Sequence, residues 1–515
     1  MRGRMLAAVA LTAIAWGGTA QAQAQTTAAP APAPLPAATP SGPTQTLGEA
    51  LARTYQTNPT IMAERQSLRA TDEDVALARA RGRPQVNASA GLNQDVLTIN
   101  TAGIGRGRNG RDFNAGADLS LPIYAGGTIR NSIRAADVRV EAGRADLRAT
   151  EGDVFTEAVA AYMDVIRDRS IVELNRNQVR VLETNLQATR DRFEVGDLTR
   201  TDVAQSDARL ALARSALLSA EGRLEGSEEN YRRVIGNLPP DLAPPPGLPV
   251  LPPDPDQATE TALANNADLA AIAARARAAG YDVRVARGGR LPTLSIVSSG
   301  TYISALGRAD EVAGQPEGTL PNSRTDAGVG LSLRLPLYQG GAASARVRQA
   351  QAFRGQLLEQ SIAVERLVVS NVRAAFAAFQ SANEAIESNT IAVAANQLAL
   401  EGTRAEQTVG TRNILDVLNA EQELLNSQVL LVTARRDAYV AGFQLLDAMG
   451  MAEAEDLNLD AGPLYDPTIN YERYSRSWSD WNDGPRIRPV ATRTVPADAN
   501  SPVTPIVNRT VTERR

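Results

Sequence analysis

The sequence predicts an α+β fold in which two long helical hairpins carry four amphipathic strands, pooled by several chains into one barrel. Three observations predict it: a duplicated plan, a switch of apolar period inside each copy, and no apolar run long enough to span a bilayer as a helix. The duplication centres on Thr408-Val409-Gly410-Thr411-Arg412-Asn413-Ile414-Leu415-Asp416-Val417-Leu418, which lies between two long helical patterns. A weaker copy, Glu194-Val195-Gly196-Asp197-Leu198-Thr199-Arg200-Thr201-Asp202-Val203, has Val-Gly and Asp-Val at the same internal spacing. In each, glycine ends one helix, a few residues turn the chain, and the Asp-Val side starts the next helix. These are the tips of two helical hairpins.

Composition bounds the chemistry. Aromatics are 4% of the 515 residues, which suits long helices with narrow seams more than a thick globular core. The chain has no Cys and no His, which excludes disulfides, thiol nucleophiles, Cys/His zinc sites and a histidine base. No metal, cofactor or catalytic residue is proposed, and no enzyme activity is expected. The net charge of −5, with no basic stripe, speaks against nucleic acid as a partner.

The N-terminus gives a compartment. Arg2 and Arg4 precede an apolar run from Met5 to Trp16 and an Ala20-Gln21-Ala22 site, so residues 1–22 read as a cleaved secretory leader. The run is far short of the ~20 residues that a span needs. Loss of the two arginines takes the net charge from −5 to −7, and no cysteine follows to carry a lipid. Residues 23–45, rich in Ala, Pro and Thr, form an extended tether.

The first repeat covers 46–238. Ile61, Leu68 and Val75 recur seven apart in a helix, with a bend or a restart at Asn58-Pro59 and an end at Pro84. The period then becomes two: Val86, Ala88, Ala90 and Leu92 alternate with polar residues, as do Phe113, Ala115, Ala117 and Leu119. This predicts an antiparallel pair over 85–123, joined by a glycine-rich loop at 103–110. Leu121-Pro122-Ile123-Tyr124-Ala125-Gly126-Gly127 turns strand into helix. A helix of about 65 residues follows, roughly 100 Å long. Its seam is Ala158, Val165, Val172, Val179, Leu186 and Phe193, and the returning helix continues with Val203, Leu210, Leu217, Leu224 and Tyr231.

After a proline-rich linker at 239–256, the second repeat (257–450) restates the plan. Asn266, Arg287 and Pro292 answer Asn58, Arg79 and Pro84; Leu335-Pro336-Leu337-Tyr338-Gln339-Gly340-Gly341 answers the first strand-to-helix turn. The long seam returns as Val372, Phe379, Ile386, Val393 and Leu400, and the short one as Val417, Leu424, Leu431, Ala438 and Leu445. In the tail, 451–515, Tyr465, Tyr471, Tyr474, Trp478 and Trp481 are expected to pack on the helices, as an equatorial segment before a disordered end.

Four strands cannot close a barrel, and an open sheet with one apolar face would be sticky in water. Several chains sharing one barrel with its apolar side towards lipid solve both problems, and three would supply twelve strands. The helix lengths agree. The initial and returning helices, about 33–36 residues each, together match the long one, which gives a wall of uniform height around a bore.

In that order and in both repeats, the two Leu-Pro-x-Tyr-x-Gly-Gly turns, Gly410 to Leu418 and Thr201-Asp202-Val203 resemble the TolC family of outer-membrane channel proteins over about residues 46–450. The resemblance implies an α+β membrane channel: a homotrimer with a twelve-stranded β-barrel in the lipid of the outer membrane and a coiled-coil tunnel in the periplasm. It implies that the tips, Val195, Gly196, Val409, Gly410 and Thr411, dock a periplasmic adaptor (a membrane fusion protein). The adaptor would join the channel to an inner-membrane ABC exporter or proton-driven pump. It further implies a periplasmic gate in which Arg412 bonds Thr201 and Asp202 while Asp416 faces the bore. Two departures matter. Asn419 stands where well-known members carry a second bore aspartate, and Gln407 where they carry a tyrosine.

The function expected is a passive export duct. A phosphate-binding Gly-Lys-Ser/Thr loop is missing, so the chain does not itself use ATP. The alternatives are a periplasmic adaptor, which would have one hairpin and no membrane-type strands, and a structural coiled-coil surface protein, which would have one unbroken heptad run.

Overall fold

Short polar side chains, those of Thr46, Asn58, Thr199, Asn266 and Asn413, cap helix starts, and left-handed glycines sit at both ends of the longest helices. Thr46 opens the first repeat with a reciprocal cap: its hydroxyl accepts the Glu49 amide, and Glu49 accepts the amide of Thr46. Helix α1 (Leu47–Thr57) then stops at Asn58, whose side chain caps α2 (Pro59–Ala80) while Pro59 fills its first turn. Of the bend or restart expected at Asn58-Pro59, the structure shows the restart. The second repeat keeps the helix–Asn–helix order with α5 (Pro255–Asn265), Asn266 and α6 (Ala267–Gly288), but Asp254 makes no side-chain cap on α5. Asn58 and Asn266 do a second job each, donating from Nδ2 to the carbonyls of Val234 at 2.9 Å and Ala448 at 3.2 Å. The same hydrogen bond thus ties the start of each repeat to its end.

The computed structural model describes residues 44–94, 111–306, 323–457 and most of 459–493. The leader, nearly all of the tether, the loop at 103–110 and the end of the tail lie outside the described residues.

The strands β1 (Gln85–Gln94), β2 (Arg111–Ala125), β3 (Thr293–Ala305) and β4 (Ser323–Arg334) form one antiparallel sheet in sequence order. Its register places Val86 opposite Leu119, Leu92 opposite Phe113, and Ile296 opposite both Leu121 and Leu331. Directly paired residues share a face, so the apolar sets of all four strands line up on one side. On the other side Asn87 donates to Asp118 and Asn93 to Asp112, both at 3.1 Å. Among the described residues no helix packs along this sheet, and Val86, Leu92, Val329, Leu331 and Leu333 are all exposed. The half-buried strands that alternation suggests are thus uncovered on both faces within one chain.

The strand β2 runs past its expected end at residue 123. Pairing with β1 stops at Ser120, so Pro122 withholds an N–H from no partner there, and the β3 side absorbs it in a bulge between Pro122 and Tyr124. In the second repeat Pro336 lies beyond β4. Gly126-Gly127 and Gly340-Gly341 then hold two successive positive φ angles (61° and 75°, 57° and 82°) and release the chain into helix.

Each turn leads into a 67-residue helix, α3 (Thr128–Glu194) and α7 (Ala342–Thr408), about 100 Å long. They return as α4 (Arg200–Ile235) and α8 (Ile414–Ala448). Ala158, Val165, Val172, Val179 and Leu186 are buried as the heptad seam requires; Phe193 at its lower end is exposed. The main core lies at mid-height, where α1, α3, α4, α5, α7 and α8 meet around Phe155, Tyr162, Tyr231 and Leu445.

The tail after α8 straps the helices. It includes α9 (Ile469–Tyr474) and lies along α2. Tyr465 and Tyr471 pack as expected, but Trp481 is 94% exposed and Trp478 71%.

Candidate functional site: the two helix tips

Both tips are built by one backbone device. At the first, the Gly196 amide donates to Phe193 O and the Asp197 amide to Arg192 O, each at 2.9 Å. At the second, Gly410 donates to Gln407 O at 3.1 Å and Thr411 to Glu406 O at 3.0 Å. This paired closure needs a left-handed residue just past the helix, and Gly196 (φ 82°) and Gly410 (φ 80°) supply it. The next helices are capped by Thr199, in a reciprocal box with Asp202, and by Asn413. Val195, Val409, Gly410 and Thr411 stand exposed at the ends.

Each tip also closes its own short ion pair, with the charges exchanged. Arg192 holds Asp197 at 2.7 Å in the first; in the second Arg412 donates from Nε to Glu406 Oε2 at 2.7 Å. Arg412 Nη1 also lies 3.8 Å from Asp416 Oδ2. The expected bond from Arg412 to Thr201 and Asp202 is therefore not formed within the chain. Glu406, at the start of the same turn, is a nearer partner for the guanidinium. Asp202 meanwhile accepts the hydroxyl and amide of Thr199, at 2.7 and 2.9 Å, and these bonds hold its carboxyl below the usual range. Thr201 is exposed in the first turn of α4.

Asn419 has a partner the sequence did not suggest. It accepts from Arg209 Nη2 at 2.8 Å, which bridges α8 to α4 across a groove of about 530 Å³ between α3, α4 and α8. Two residues further sits Glu421, its side chain 2% exposed, accepting from Arg404 of α7 at 3.0 Å and Asn185 of α3 at 3.1 Å. This carboxylate locks three helices just above the tip. A signal for it existed: Glu421 falls four residues from both Val417 and Leu425, on the buried face of α8. Around its level Leu182, Leu186, Leu210 and Leu418 form part of a small apolar cluster.

Hairpins with glycine tips, hung from a sheet bare on both faces, are the frame of a conduit and not of an enclosed reaction site. The family model for outer membrane efflux proteins matches residues 50–237 and 258–451. The chain belongs to this family. It is 33% identical over 441 residues to the outer membrane efflux protein BepC of Brucella suis biovar 1 (strain 1330), covering 84% of this chain and 91% of that one. It is 28% identical over 424 residues to the outer membrane protein TolC of Escherichia coli (strain K12), covering 79% and 84%. Among solved structures, the Campylobacter jejuni CmeC outer membrane channel superposes with a TM-score of 0.69 at 16% identity, over 84% of this chain and 89% of that one. This outer membrane efflux protein is an export duct, with its sheet in the outer membrane and its helical hairpins in the periplasm. Its relatives are channel proteins, not enzymes.

Proposed function

We propose that three copies close a twelve-stranded barrel above a helical tunnel, and that the tips form a gated mouth where a periplasmic adaptor docks. The observation that carries this reading is that the open edges of sheet and helices coincide. β1 and β4 each lack one neighbour. α2 leads into β1, and β4 leads into α7, so each sheet edge continues into a helix with a free side: Ala63, Ser67, Ala70 and Leu77 of α2 stay exposed beside the tail, and α7 exposes Phe353, Leu358, Ile362 and Leu367. A β4–α7 edge set against the next copy's β1–α2 edge is a head-to-tail contact that closes as a ring. Closure leaves no bare strand edge in the bilayer.

At the mouth, three copies of Asp416 around a narrow bore attract cations and repel one another. Arg412, half-exposed and held by surface pairs, is free to exchange Glu406 for Thr201 and Asp202 of a neighbouring tip. Such links are each worth about 1 kcal/mol or less, enough to bias a closed state and weak enough for a docking partner to undo. The adaptor would couple the duct to an inner-membrane ABC exporter or a proton-driven pump, serving protein secretion, small-molecule efflux or both. Lack of His and Cys favours those cargoes over soft metal ions.

The native absence of cysteine makes the test clean. Single cysteines between Val86 and Leu92, paired with others between Val329 and Leu333, should give covalent trimers on oxidation. A ladder that stops at monomer refutes the shared barrel. A photocrosslinker on Thr411→Cys in living cells should capture an adaptor encoded beside an ABC exporter or a proton-driven pump. Silence there and at control sites along the tunnel refutes the docking role.

A further inference from the structure

We propose that the loop Trp478–Asp483 is a second membrane contact, seated in the headgroup zone of the phospholipid leaflet at the foot of the barrel. The proposal rests on the sheet lying in the bilayer. What the structure adds is the path of the tail. Its Tyr465 amide donates to the Tyr55 hydroxyl at 2.9 Å, and its ring lies 4.9 Å from the Arg65 guanidinium. From there it climbs α2. Asn470 donates to Asp72 at 3.1 Å, Arg79 to Ser475 O at 3.0 Å, and Arg83 to Ser477 O. Arg65 to Arg79 is about 20 Å of helix, so the strap rises from the mid-height core to the top of α2.

The last anchor, Arg83, is two residues from the start of β1. Trp478 therefore emerges level with the foot of the sheet, its ring 4.6 Å from the Arg83 guanidinium. Beyond it the chain makes tight turns, with Ser477, Ser479 and Asn482 side chains accepting the amides of Ser479, Trp481 and Gly484. It folds back so that a Cβ on Gly484 would meet the Tyr474 hydroxyl at 3.0 Å. The loop so formed leaves Trp478 and Trp481 exposed. Tyr124 and Tyr338, at the feet of β2 and β4, are exposed as well.

Indole is the side chain that best suits the boundary between headgroups and hydrocarbon, with an apolar ring and one N–H donor. Asp480 and Asp483 balance Arg476 and Arg486 around the rings. A neutral loop with two bare indoles fits a zwitterionic headgroup zone better than a charged macromolecular partner. The strap would then fix the height of the tunnel against the membrane, independently of the barrel.

Trp16, Trp478 and Trp481 are the three tryptophans of the sequence. In a Trp16→Phe background, tryptophan emission therefore reports on this loop alone. The full-length protein is reconstituted into phosphatidylcholine vesicles carrying bromines either near the carbonyls or near the chain ends. The expected result is a roughly twofold loss of emission with the shallow bromines and little with the deep ones, since indole settles at the interface. Emission quenched by aqueous acrylamide but by neither lipid overturns the proposal, because the loop is then in water. Emission shielded from acrylamide and from both lipids overturns it too, because protein then covers the loop. A control with Leu331→Trp on a Trp16→Phe, Trp478→Phe, Trp481→Phe background separates the failures. If this sheet residue is quenched and the loop is not, the loop proposal alone falls. If neither is quenched, the sheet is not in the lipid and both fall.

Discussion

The helices α3 and α7 are repeats of one another, equal in length and entered through the same pair of glycines, yet they live in different surroundings. α3 is buried at intervals from Ala135 to Thr189, whereas α7 buries Val347, Val368, Val372 and Leu400. The sequence has adjusted to this in an unexpected direction. The exposed apolar residues of α7 include Phe353, Leu358, Ile362, Leu367, Ile391 and Leu398. At an offset of 214 their counterparts in α3 are Arg139, Arg144, Arg148, Asp153, Asn177 and Thr184, polar at every position. Several of those polar residues are satisfied inside the chain: Arg139 pairs with Asp282 at 2.5 Å and Arg148 with Glu453 at 2.7 Å. α7 has given up that chemistry for apolar surface left exposed among the described residues. An apolar face of this size marks an interaction surface, and the proposed trimer would cover it with another copy.

The largest expected effect breaks this contrast directly. Val165→Asp puts a carboxylate into the seam of α3 with no partner and should cost several kcal/mol, about 3–5, so that the chain loses its helical signal. Leu398→Asp on α7 should leave the helical content of each chain intact and abolish the trimer. Circular dichroism reads the first and native mass spectrometry the second. A trimeric Leu398→Asp protein would mean that this face meets no neighbour.

The same pair of helices gives the second prediction. Glu151 of α3 is buried, and that burial, partly opposed by Arg65 at 3.8 Å, pushes its carboxyl up to about 7. Its counterpart, Glu365 of α7, is exposed. Because the folded chain holds the Glu151 proton more tightly than the unfolded chain does, this stability is complete below about pH 4.5. It is lost as the pH rises through about 7. Denaturant titrations should show a loss on the order of 2 kcal/mol between those limits. Glu151→Gln should flatten the slope, and Glu365→Gln should leave it alone. Asp447 on α8, also pushed by burial to about 7, titrates in the same direction, so Asp447→Asn should remove a further part. Equal effects from both glutamate variants would refute the assignment.

Much of this frame was legible in the sequence because it is periodic. Seams seven apart, strands two apart and glycines at matched positions each follow from local geometry, and the duplication checks every one of them. What periodicity does not carry is the choice of partner among exposed charges. Arg412 could be placed at the second tip, but Glu406 six residues before it is a nearer acceptor than Asp202. Asn419 could be placed on α8, but its bond to Arg209 depends on how α4 leans across α3. The aromatic tail was visible as a cluster, while its climb along α2 rests on single contacts with no repeat behind them.

A third, smaller effect distinguishes the two halves of the core. Tyr162 donates its hydroxyl to Ala243 O at 2.6 Å and lies 3.0 Å from Gln45 O, which pins the segment before α1 and the inter-repeat segment to α3. Its counterpart in α7 is Phe376, which has no hydroxyl to offer. Tyr162→Phe should cost about 1–2 kcal/mol, since the Ala243 carbonyl loses its donor while Gln45 O keeps the Ala243 amide. Phe376→Tyr should gain nothing comparable. Thermal melts of the two variants, with Gln45 and Ala243 unchanged, decide the matter.

The smallest effect on stability is the most informative about the duct. Arg192 and Arg412 are both half-exposed, and each holds one short surface pair, so removing either should change stability by less than about 0.5 kcal/mol. Their surroundings differ. Arg192 is engaged with Asp197 inside its own tip, whereas Arg412 stands between Glu406 and Asp416 at the foot of α8. If the second tip holds the gate, Arg412→Ala should raise the conductance of reconstituted channels several-fold while Arg192→Ala leaves it unchanged. Asp416→Asn should lower the preference for cations without opening the mouth, because it removes charge from the bore but no link between tips. Equal conductance in the two arginine variants would mean that the tips are equivalent. The asymmetry between the repeats would then end at the helix walls and play no part in gating.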